Sequence, residues 1–242
     1  MLLLRLNRPE RRNALATPLL GAIAEALARA DADEDVRAVV VTGDEKVFAA
    51  GADLDELARS GGDDPIEGPR FRAWAAISAF SKSLIAAVEG WCLGAGLELM
   101  MRCDLVIAGE GARFGQPETN LGIIPGAGGT AILPRLLGLP LAMEMVLTGE
   151  PIDADRALGA RLIARVVPQG EALAAALELA DKLAARAPEA LRAAKASLRD
   201  TLELPLADHL LAERRRFVAL LGGAEKAEGI AAFREKRKPN WT

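Results

Sequence analysis

Strand-like and helix-like segments alternate along the first two thirds of this 242-residue chain. Apolar, β-branched runs such as Val36–Thr42 are typical of buried strands, and helical patterns follow them after short turns. After about residue 167 only helices follow, and Pro188 and Pro205 separate them from one another. This order predicts an α/β core with a helical C-terminal region.

The length suits one domain, or one domain with a short appendage. We place the α/β core, with the active site, in residues 1–187 and the helical region in residues 188–242. The C-terminal helices are apolar but have no obvious core of their own. We therefore expect them to pack on the core and on a neighbouring copy of the chain.

Local signals predict where two of the helices begin. Thr17 followed by Pro18 is typical of an N-cap with proline at the first helical position. Asp53 and Glu56 have the spacing of a capping box. The other expected segments are a strand over 1–6, a mobile loop over 59–69, a helix over about 70–83 and a strand at Ile85–Glu89.

Composition excludes several classes of protein. Apolar residues make up 51% of the chain and charged residues 26%, which is typical of a globular protein. No apolar run approaches the roughly 18 residues of a membrane span, so we expect no membrane partner. The net charge of −4 offers no general attraction to nucleic acid. Only two cysteines are present, which excludes a disulfide framework and favours a cytoplasmic location.

Composition also limits the chemistry. The chain has one histidine, His209, and no tyrosine, so a His-based metal site or a Ser-His triad is not expected. We expect no metal site. Catalysis must then come from carboxylates, lysine, serine or threonine, or backbone groups.

Two glycine-rich turns lead into helix starts, at Phe48–Asp53 and at Gly90–Glu98. A helix start leaves backbone N–H groups without partners in the helix. Two such groups aimed at one point form an oxyanion hole. The alternative is that both are ordinary turns before helices.

Two glutamates stand in unusual surroundings. Glu98 lies within the apolar stretch Leu97–Met101, and Glu118 precedes the glycine-rich run after residue 121. A glutamate buried among apolar groups has a raised pKa, which suits general acid–base catalysis near neutral pH. The alternative for each is a surface carboxylate.

Further glycine and basic clusters are weaker signals. Gly126–Thr130 lacks the Gly-Lys-Ser/Thr of a phosphate-binding loop, and Gly94-Ala95-Gly96 lacks the third glycine of a dinucleotide fingerprint. Lys236, Arg237, Arg11 and Arg12 are either solvated charges or phosphate-binding groups.

At these motifs the sequence resembles the crotonase superfamily, and within it the enoyl-CoA hydratases. The matching segments occur in the order of the family and cover nearly the whole chain. They are LNRPERRNAL (6–15), VRAVVVTG (36–43), FAAGADL (48–54), AAVEGWCLGAGLELMMRCDLVIA (86–108), RFGQPETNLGIIPGAGGT (113–130), AMEMVLTGEPIDADRAL (142–158) and IAAFREKRKP (230–239).

The resemblance implies a spiral core of ββα units and a C-terminal helical region that builds homotrimers or homohexamers. It implies an acyl-CoA thioester substrate and no separate cofactor, because coenzyme A is part of the substrate. The backbone N–H groups of Ala52 and Ala95 would form the oxyanion hole. Glu98 and Glu118 would be the catalytic pair, and Gly126 would help to position the water.

The resemblance also implies a set of coenzyme A contacts. One group lies after Pro9 and in the turn before the second helix, and the other near the C-terminus. These residues are Arg11, Arg12, Ala50, Ala52, Asp53, Leu54, Lys236 and Arg237.

The chain departs from the family pattern in two places. The usual Gly-Gly-Gly turn is Gly94-Ala95-Gly96, which serves if the backbone of Ala95 is in a region open to alanine. The chain also begins later than is usual and is expected to lack a first strand or hairpin.

Three other functions compete with hydration. The nearest alternative is a Δ3,Δ2-enoyl-CoA isomerase, or another crotonase-type acyl-CoA hydratase or lyase with a specialised acyl group. Isomerases generally need one carboxylate, and the presence of both Glu98 and Glu118 favours hydration over isomerisation. RNA binding is disfavoured because residues 18–30 carry only Glu25 and Arg29 as charges. A catalytically silent CoA-ester binder would typically have lost one of the glutamates.

Overall fold

The computed structural model describes residues 1–61 and 65–241. In that part of the chain the strands are β1 (Leu2–Arg5), β2 (Ala38–Thr42), β3 (Val47–Ala49), β4 (Ser83–Val88), β5 (Trp91–Leu93), β6 (Leu105–Gly109), β7 (Arg113–Gly115), β8 (Ile152–Asp153) and β9 (Arg165–Val167). The helices there are α1 (Thr17–Ala32), α2 (Leu54–Leu57), α3 (Pro69–Ser78), α4 (Ala95–Met100), α5 (Gly129–Leu137), α6 (Leu139–Thr148), α7 (Ala154–Gly159), α8 (Ala172–Ala184), α9 (Pro188–Asp200), α10 (Leu206–Leu221) and α11 (Ala224–Glu235). Two short 3₁₀ segments lie at Pro9–Arg11 and Glu118–Leu121.

Consecutive strands of the core enter two different sheets. One sheet has the order β1-β2-β4-β6-β9 and is parallel throughout. The other has the order β3-β5-β7-β8, with only its last pair antiparallel. Each of the pairs β2-β3, β4-β5 and β6-β7 precedes helical structure, so the predicted succession of ββα units is confirmed.

The larger sheet is covered on both faces, which explains its almost continuous apolar strands. All five residues of β2 are buried. One face of this sheet joins the main core, and the other packs against α8 through Ala172, Ala176 and Ala180. Each ββ pair is thereby held rigidly, and the turn after it has a fixed position.

The starts of two helices refine the sequence predictions. Asp53 caps α2 as expected, since its side chain accepts hydrogen bonds from the N–H groups of Asp55 and Glu56. The predicted N-cap at Thr17 is wrong by one residue, because Ala16 is the N-cap of α1. The capping box is also incomplete, because the Glu56 carboxylate bonds to the N–H and hydroxyl of Thr17 instead of turning back to Asp53.

The helix predicted over about 70–83 ends earlier, at Ser78. β4 begins at Ser83 and pairs with β2 from that residue onward. The N–H and hydroxyl of Ser81 bind the Asp31 carboxylate at 3.3 and 2.7 Å. The helix is therefore shorter than predicted, and the strand predicted at Ile85–Glu89 is found two residues earlier at its start and one residue earlier at its end.

The C-terminal helices join the core mainly through α9. Lys195 and Arg199 form ion pairs with Asp104 at 2.8 and 2.9 Å. α10 packs on α9 and buries none of its own residues fully. No helix in the described part of the chain is both long and apolar enough to cross a bilayer.

Candidate active site

A cavity of about 1260 Å³ lies between α3, the turn after β3, the start of α4 and the segment 117–128. It contains most of the site residues predicted from the sequence. These are Ala50, Ala52, Asp53, Leu54, Ala95, Glu98, Glu118 and Gly126. Arg11, Arg12, Lys236 and Arg237 do not line it.

Ala52 and Ala95 both line this cavity, and their backbone N–H groups have no partner in the described part of the chain. Ala52 follows β3, in a turn that is held by a 2.8 Å hydrogen bond from Leu15 N–H to the Gly51 carbonyl. Ala95 is the first residue of α4, where no partner exists inside the helix. Across the described ranges, neither N–H donates to a protein acceptor. Both are therefore available to a ligand oxygen.

The Gly94-Ala95-Gly96 turn shows why only its outer positions require glycine. Gly94 has φ of 51°, and a Cβ there would lie 2.9 Å from the Glu118 carboxylate. A Cβ on Gly96 would collide with the Ala49 backbone. Ala95 takes up helical backbone, so its methyl group is accommodated.

Glu98 lies at the floor of the cavity and is only 2% exposed. Its Oε1 accepts hydrogen bonds from the N–H groups of Ala127 and Gly129, at 2.7 and 2.8 Å. Burial raises the pKa of Glu98, while these N–H groups and the charges of Arg102 and Arg70 oppose the rise. The backbone thus holds one buried carboxylate ready to accept a proton.

Glu118 lies opposite, in the 3₁₀ segment, and is half-buried. Burial raises its pKa to about 7, a hydrogen bond from its own backbone opposes the rise, and the nearby charge of Glu98 adds to it. With its amide nitrogen turned toward Glu118, Gln116 donates to both carboxylate oxygens at 2.9 and 3.0 Å. Near neutral pH this carboxyl group can therefore both give and take a proton.

The predicted coenzyme A contacts divide into two groups. The cavity wall includes Ala50, Ala52 and Leu54. The Asp53 side chain is occupied within the protein, since it caps α2 and forms an ion pair with Arg8 at 3.2 Å. Beside this wall, Arg11 pairs with Asp55 at 2.9 Å, and the Arg12 carbonyl accepts from Ala50 N–H. The backbone of this turn, and not the Asp53 carboxylate, is open to a ligand.

The second group lies at the end of α11. Arg237 forms ion pairs with Glu228 and Glu235, both at 2.6 Å, and these raise its pKa further. Lys236 adopts a left-handed backbone conformation as the C-cap of α11. Within one chain, neither residue is brought to the cavity.

Sequence reasoning did not assign five groups of this site. These are the Gln116 amide, the Ala127 and Gly129 N–H donors to Glu98, and two arginines on the cavity wall, Arg70 and Arg102. Arg102 follows Glu98 by four residues, a spacing that places both side chains on one face of a helical turn. No sequence pattern pointed to Gln116, because its contact with Glu118 depends on the path that the chain takes after β7.

Among residues 1–61 and 65–241, no three histidine, cysteine or acidic side chains form a group that could hold a metal ion. The charged side chains that line the cavity are four carboxylic acids, Asp53, Glu56, Glu98 and Glu118, and two arginines, Arg70 and Arg102. The Asp53 and Glu56 carboxylates are occupied at the starts of α2 and α1, which leaves Glu98 and Glu118 together with the backbone donors of Ala52 and Ala95. Such a set can polarise a carbonyl group and move protons beside it.

Comparison with known proteins agrees with this geometry. The sequence matches the enoyl-CoA hydratase/isomerase family over residues 1–242. It is 47% identical to a 2,3-dehydroadipyl-CoA hydratase of Escherichia coli K12, covering 100% of this chain and 94% of that protein. It is 40% identical to a mitochondrial enoyl-CoA hydratase of Pongo abelii, covering 99% and 82%.

The fold agrees as well. A crystal structure of an enoyl-CoA hydratase from Bacillus anthracis superposes with a TM-score of 0.92 at 36% identity, covering 98% of this chain and 93% of that one. The chain is therefore an enzyme of the enoyl-CoA hydratase type and belongs to the enoyl-CoA hydratase/isomerase family.

Proposed function

We propose that the enzyme adds water in the syn sense across the double bond of a 2-trans-enoyl-CoA and produces a 3-hydroxyacyl-CoA. The observation that carries this proposal is that two glutamates and two unpartnered backbone N–H groups line one cavity. The name of the E. coli relative supports a 2-enoyl thioester as the substrate.

The thioester oxygen accepts hydrogen bonds from the N–H groups of Ala52 and Ala95. Water, held between Glu98 and Glu118 with help from the N–H of Gly126, loses a proton to Glu98 as its oxygen bonds to C3. The electron pair of the C2–C3 double bond moves toward the thioester, and the two N–H groups stabilise the enolate oxygen. Glu118 then delivers its proton to C2.

The unequal surroundings of the two glutamates support this division of roles. Burial raises the pKa of Glu98, and two backbone donors and two nearby arginines oppose that rise, so the ionised form keeps partners as a base needs. Burial raises the pKa of Glu118 to about 7, which suits an acid at neutral pH. The mechanism uses no separate cofactor, because hydrogen bonds alone activate the thioester.

The coenzyme A portion is proposed to bind along the turn at Ala50–Leu54, with Arg11 and Arg12 beside its phosphates. Lys236 and Arg237 are proposed to reach a phosphate of the coenzyme A that is bound to a neighbouring subunit, since both side chains are exposed. The double substitution Lys236→Ala with Arg237→Ala tests this contact. An unchanged apparent affinity for CoA esters would contradict it.

A homotrimer, or a homohexamer made of two trimers, is proposed as the working assembly. Supporting it, large apolar side chains of the C-terminal helices are exposed in the single chain, among them Leu206 at 71% and Phe233 at 85%. Sedimentation equilibrium measures the assembly directly, and a monomer at micromolar concentration would contradict it.

The decisive experiment follows the hydration of crotonyl-CoA as loss of its conjugated thioester absorbance. Wild-type enzyme is compared with Glu98→Gln and Glu118→Gln. We expect rapid wild-type turnover and losses of about 10²–10⁴ in kcat for each variant, as is usual for a lost acid or base. If wild-type enzyme binds CoA esters without hydrating crotonyl-CoA, the proposal is wrong, and turnover of a 3-enoyl-CoA would then identify an isomerase.

A further inference from the structure

Arg199, near the end of α9, is hydrogen-bonded to two segments of the cavity wall. Its Nη1 donates to the carbonyl of Ser78, the last residue of α3, at 2.8 Å. Its Nη2 donates to the carbonyl of Arg102, two residues after the end of α4, also at 2.8 Å. Ser78 and Arg102 are among the described residues that line the cavity. One side chain of the C-terminal region therefore joins the end of α3 to the end of α4.

The two carbonyls are available to Arg199 because each lies where a helix ends. The last carbonyls of a helix have no N–H partner within it, and arginine is a common donor to them. Nη2 of Arg199 also forms an ion pair with Asp104 at 2.9 Å. The other oxygen of Asp104 accepts the N–H of Leu84 in β4 at 2.8 Å. The bridge between the two helix ends is thereby anchored to the larger sheet.

On the cavity side, Ser78 and Arg102 also bond to each other. Arg102 Nε donates to the Ser78 hydroxyl at 2.9 Å, and Nη1 donates to the Glu98 carbonyl at 3.0 Å. The same guanidinium lies 4.7 Å from the centre of the Trp74 ring. A shift of the end of α3 away from α4 would break or stretch these contacts. The bridge at Arg199 therefore affects the spacing between Trp74 on α3 and Glu98 on α4.

Attraction between opposite charges does not by itself explain the position of Arg199. Burial lowers the pKa of Arg102, the charge of Glu98 opposes this fall, and the charge of Arg199 adds to it. Asp104 compensates for the two like charges, but it also pairs with Lys195 at 2.8 Å. The feature specific to Arg199 is geometric, since one planar guanidinium donates to two carbonyls at once. A lysine at this position would keep the charge and lose that fork.

The order of groups along α4 indicates which part of the substrate meets this wall. In the proposed mechanism the N–H of Ala95 holds the thioester oxygen, and Glu98, about one turn further, acts at C3. Arg102 follows after about one more turn. An acyl chain that passes Glu98 in this direction reaches the wall formed by Trp74, Ser78 and Arg102. A crotonyl group ends one carbon beyond C3, whereas longer acyl chains extend along the wall.

We propose that Arg199 is a positioning residue that sets the width of the cavity between α3 and α4, where the acyl chain lies beyond C3. Its effect is on the binding of longer acyl chains and not on proton transfer. This inference rests on the proposed function and adds a determinant of acyl-chain preference. It also gives the C-terminal region a role in the active site of the same chain.

The test compares crotonyl-CoA with trans-2-octenoyl-CoA, which has a longer acyl chain. The enzymes are wild type, Arg199→Met, Arg199→Lys and the control Lys195→Met. Lys195 lies on the same helix and pairs with the same Asp104, but it also donates to the Lys82 carbonyl. The control therefore removes an anchor of α9 without removing the bridge between α3 and α4.

We expect Arg199→Met to raise KM for octenoyl-CoA about 10-fold, as when one or two methylene groups lose their packing. KM for crotonyl-CoA and kcat for both thioesters should stay close to wild type. Arg199→Lys should lie between wild type and Arg199→Met, because lysine lacks the planar fork that reaches both carbonyls. Lys195→Met should keep wild-type KM values for both thioesters. If Arg199→Met does not fold, as judged by its Tm, Arg199→Lys is compared with wild type in its place.

A rise of KM by the same factor for both thioesters would overturn the inference. A lower kcat with unchanged KM would overturn it too, since Arg199 would then only maintain the fold. An equal rise of KM in Lys195→Met would do so as well, because the anchoring of α9 as a whole would then be responsible.

The inference is also wrong if wild type hydrates crotonyl-CoA but not octenoyl-CoA, because the wall would then not receive an acyl chain. If neither thioester is hydrated, the proposed function fails. The ratio of the Kd values of octanoyl-CoA and butanoyl-CoA, measured by calorimetry, then tests Arg199 on its own. An unchanged ratio in Arg199→Met would contradict the inference.

Discussion

The two sides of the cavity hold their glutamates by different means. On the floor, Glu98 is buried and its carboxylate is fixed by two backbone N–H groups. On the opposite wall, Glu118 is half-buried and is held by the side chain of Gln116. The two N–H groups favour the ionised form of Glu98, whereas burial and the nearby charge of Glu98 raise the pKa of Glu118 to about 7. In the proposed mechanism these different surroundings make Glu98 the base and Glu118 the acid.

The largest expected effect is on the rate at which the C2 proton of a substrate analogue exchanges with solvent, which should differ between variants of the two glutamates. A saturated thioester such as butanoyl-CoA exchanges its C2 proton with D₂O through the enolate alone, without addition of water. Glu118→Gln should reduce this exchange by about 10²–10⁴, because the group that carries the C2 proton is lost. Glu98→Gln should exchange almost as fast as wild type. If NMR measures an equal loss of exchange rate in both variants, Glu98 and Glu118 do not have separate roles.

A smaller effect is expected from the backbone donors to Glu98. In Gly129→Ala the new Cβ would lie 2.5 Å from the Pro125 side chain and 2.7 Å from the Gln116 amide, so the N–H at 129 must shift. We expect kcat for crotonyl-CoA to fall about 10- to 100-fold, the usual effect of one charge-assisted hydrogen bond.

The control for that variant is Gly159→Ala, since a Cβ on Gly159 meets nothing within 4 Å. It lies at the end of α7, away from the cavity, and should retain wild-type kcat. Wild-type activity in Gly129→Ala would show that the backbone donors do not govern Glu98.

The pH dependence of kcat/KM should show which of the two glutamates titrates near neutral pH. In the hydration direction Glu118 must carry a proton, and its pKa is raised to about 7. We expect kcat/KM for crotonyl-CoA to fall about tenfold per pH unit above that value. The residual activity of Glu118→Gln should lack this alkaline limb. If the limb persists in that variant, another group is responsible for it.

The smallest expected effect concerns stability. The folded pKa of Glu118 lies above the ordinary 4.5, so the native state binds more protons than the unfolded state between the two values. Its contribution to stability therefore falls as pH rises from about 4.5 to 7 and is constant above that range. Glu118→Gln cannot ionise at this position and so does not lose this stability. The Tm of the variant minus the Tm of wild type should therefore increase as pH rises through that range.

We expect a relative rise of about 2–4 °C, as for roughly 1 kcal/mol in a chain of this size, because Glu118 is partly exposed and solvent screens the effect. Differential scanning calorimetry at pH 5 and pH 8 measures it. A Tm difference independent of pH would contradict the raised pKa.

Part of the site could be predicted from the sequence because the interactions that form it join residues close together in the chain. Asp53 caps α2 through N–H groups two and three residues away, and Ala95 begins a helix directly after a glycine turn. Long-range contacts changed other expectations. Glu56 caps α1 from 39 residues away, and β4 begins at Ser83, where the predicted helix was expected to end.

The sequence alone determined the α/β class, the two turns with free N–H groups and the two glutamates, because strand periodicity, turn glycines and residue type are properties of short segments. Only the tertiary structure decided which donors reach each carboxylate, and that Arg70 and Arg102 line the cavity near Glu98. Those relations join α3, α4 and the segment 115–129, which are distant in the chain. Packing brings them together, and burial then sets the proton affinity of each glutamate.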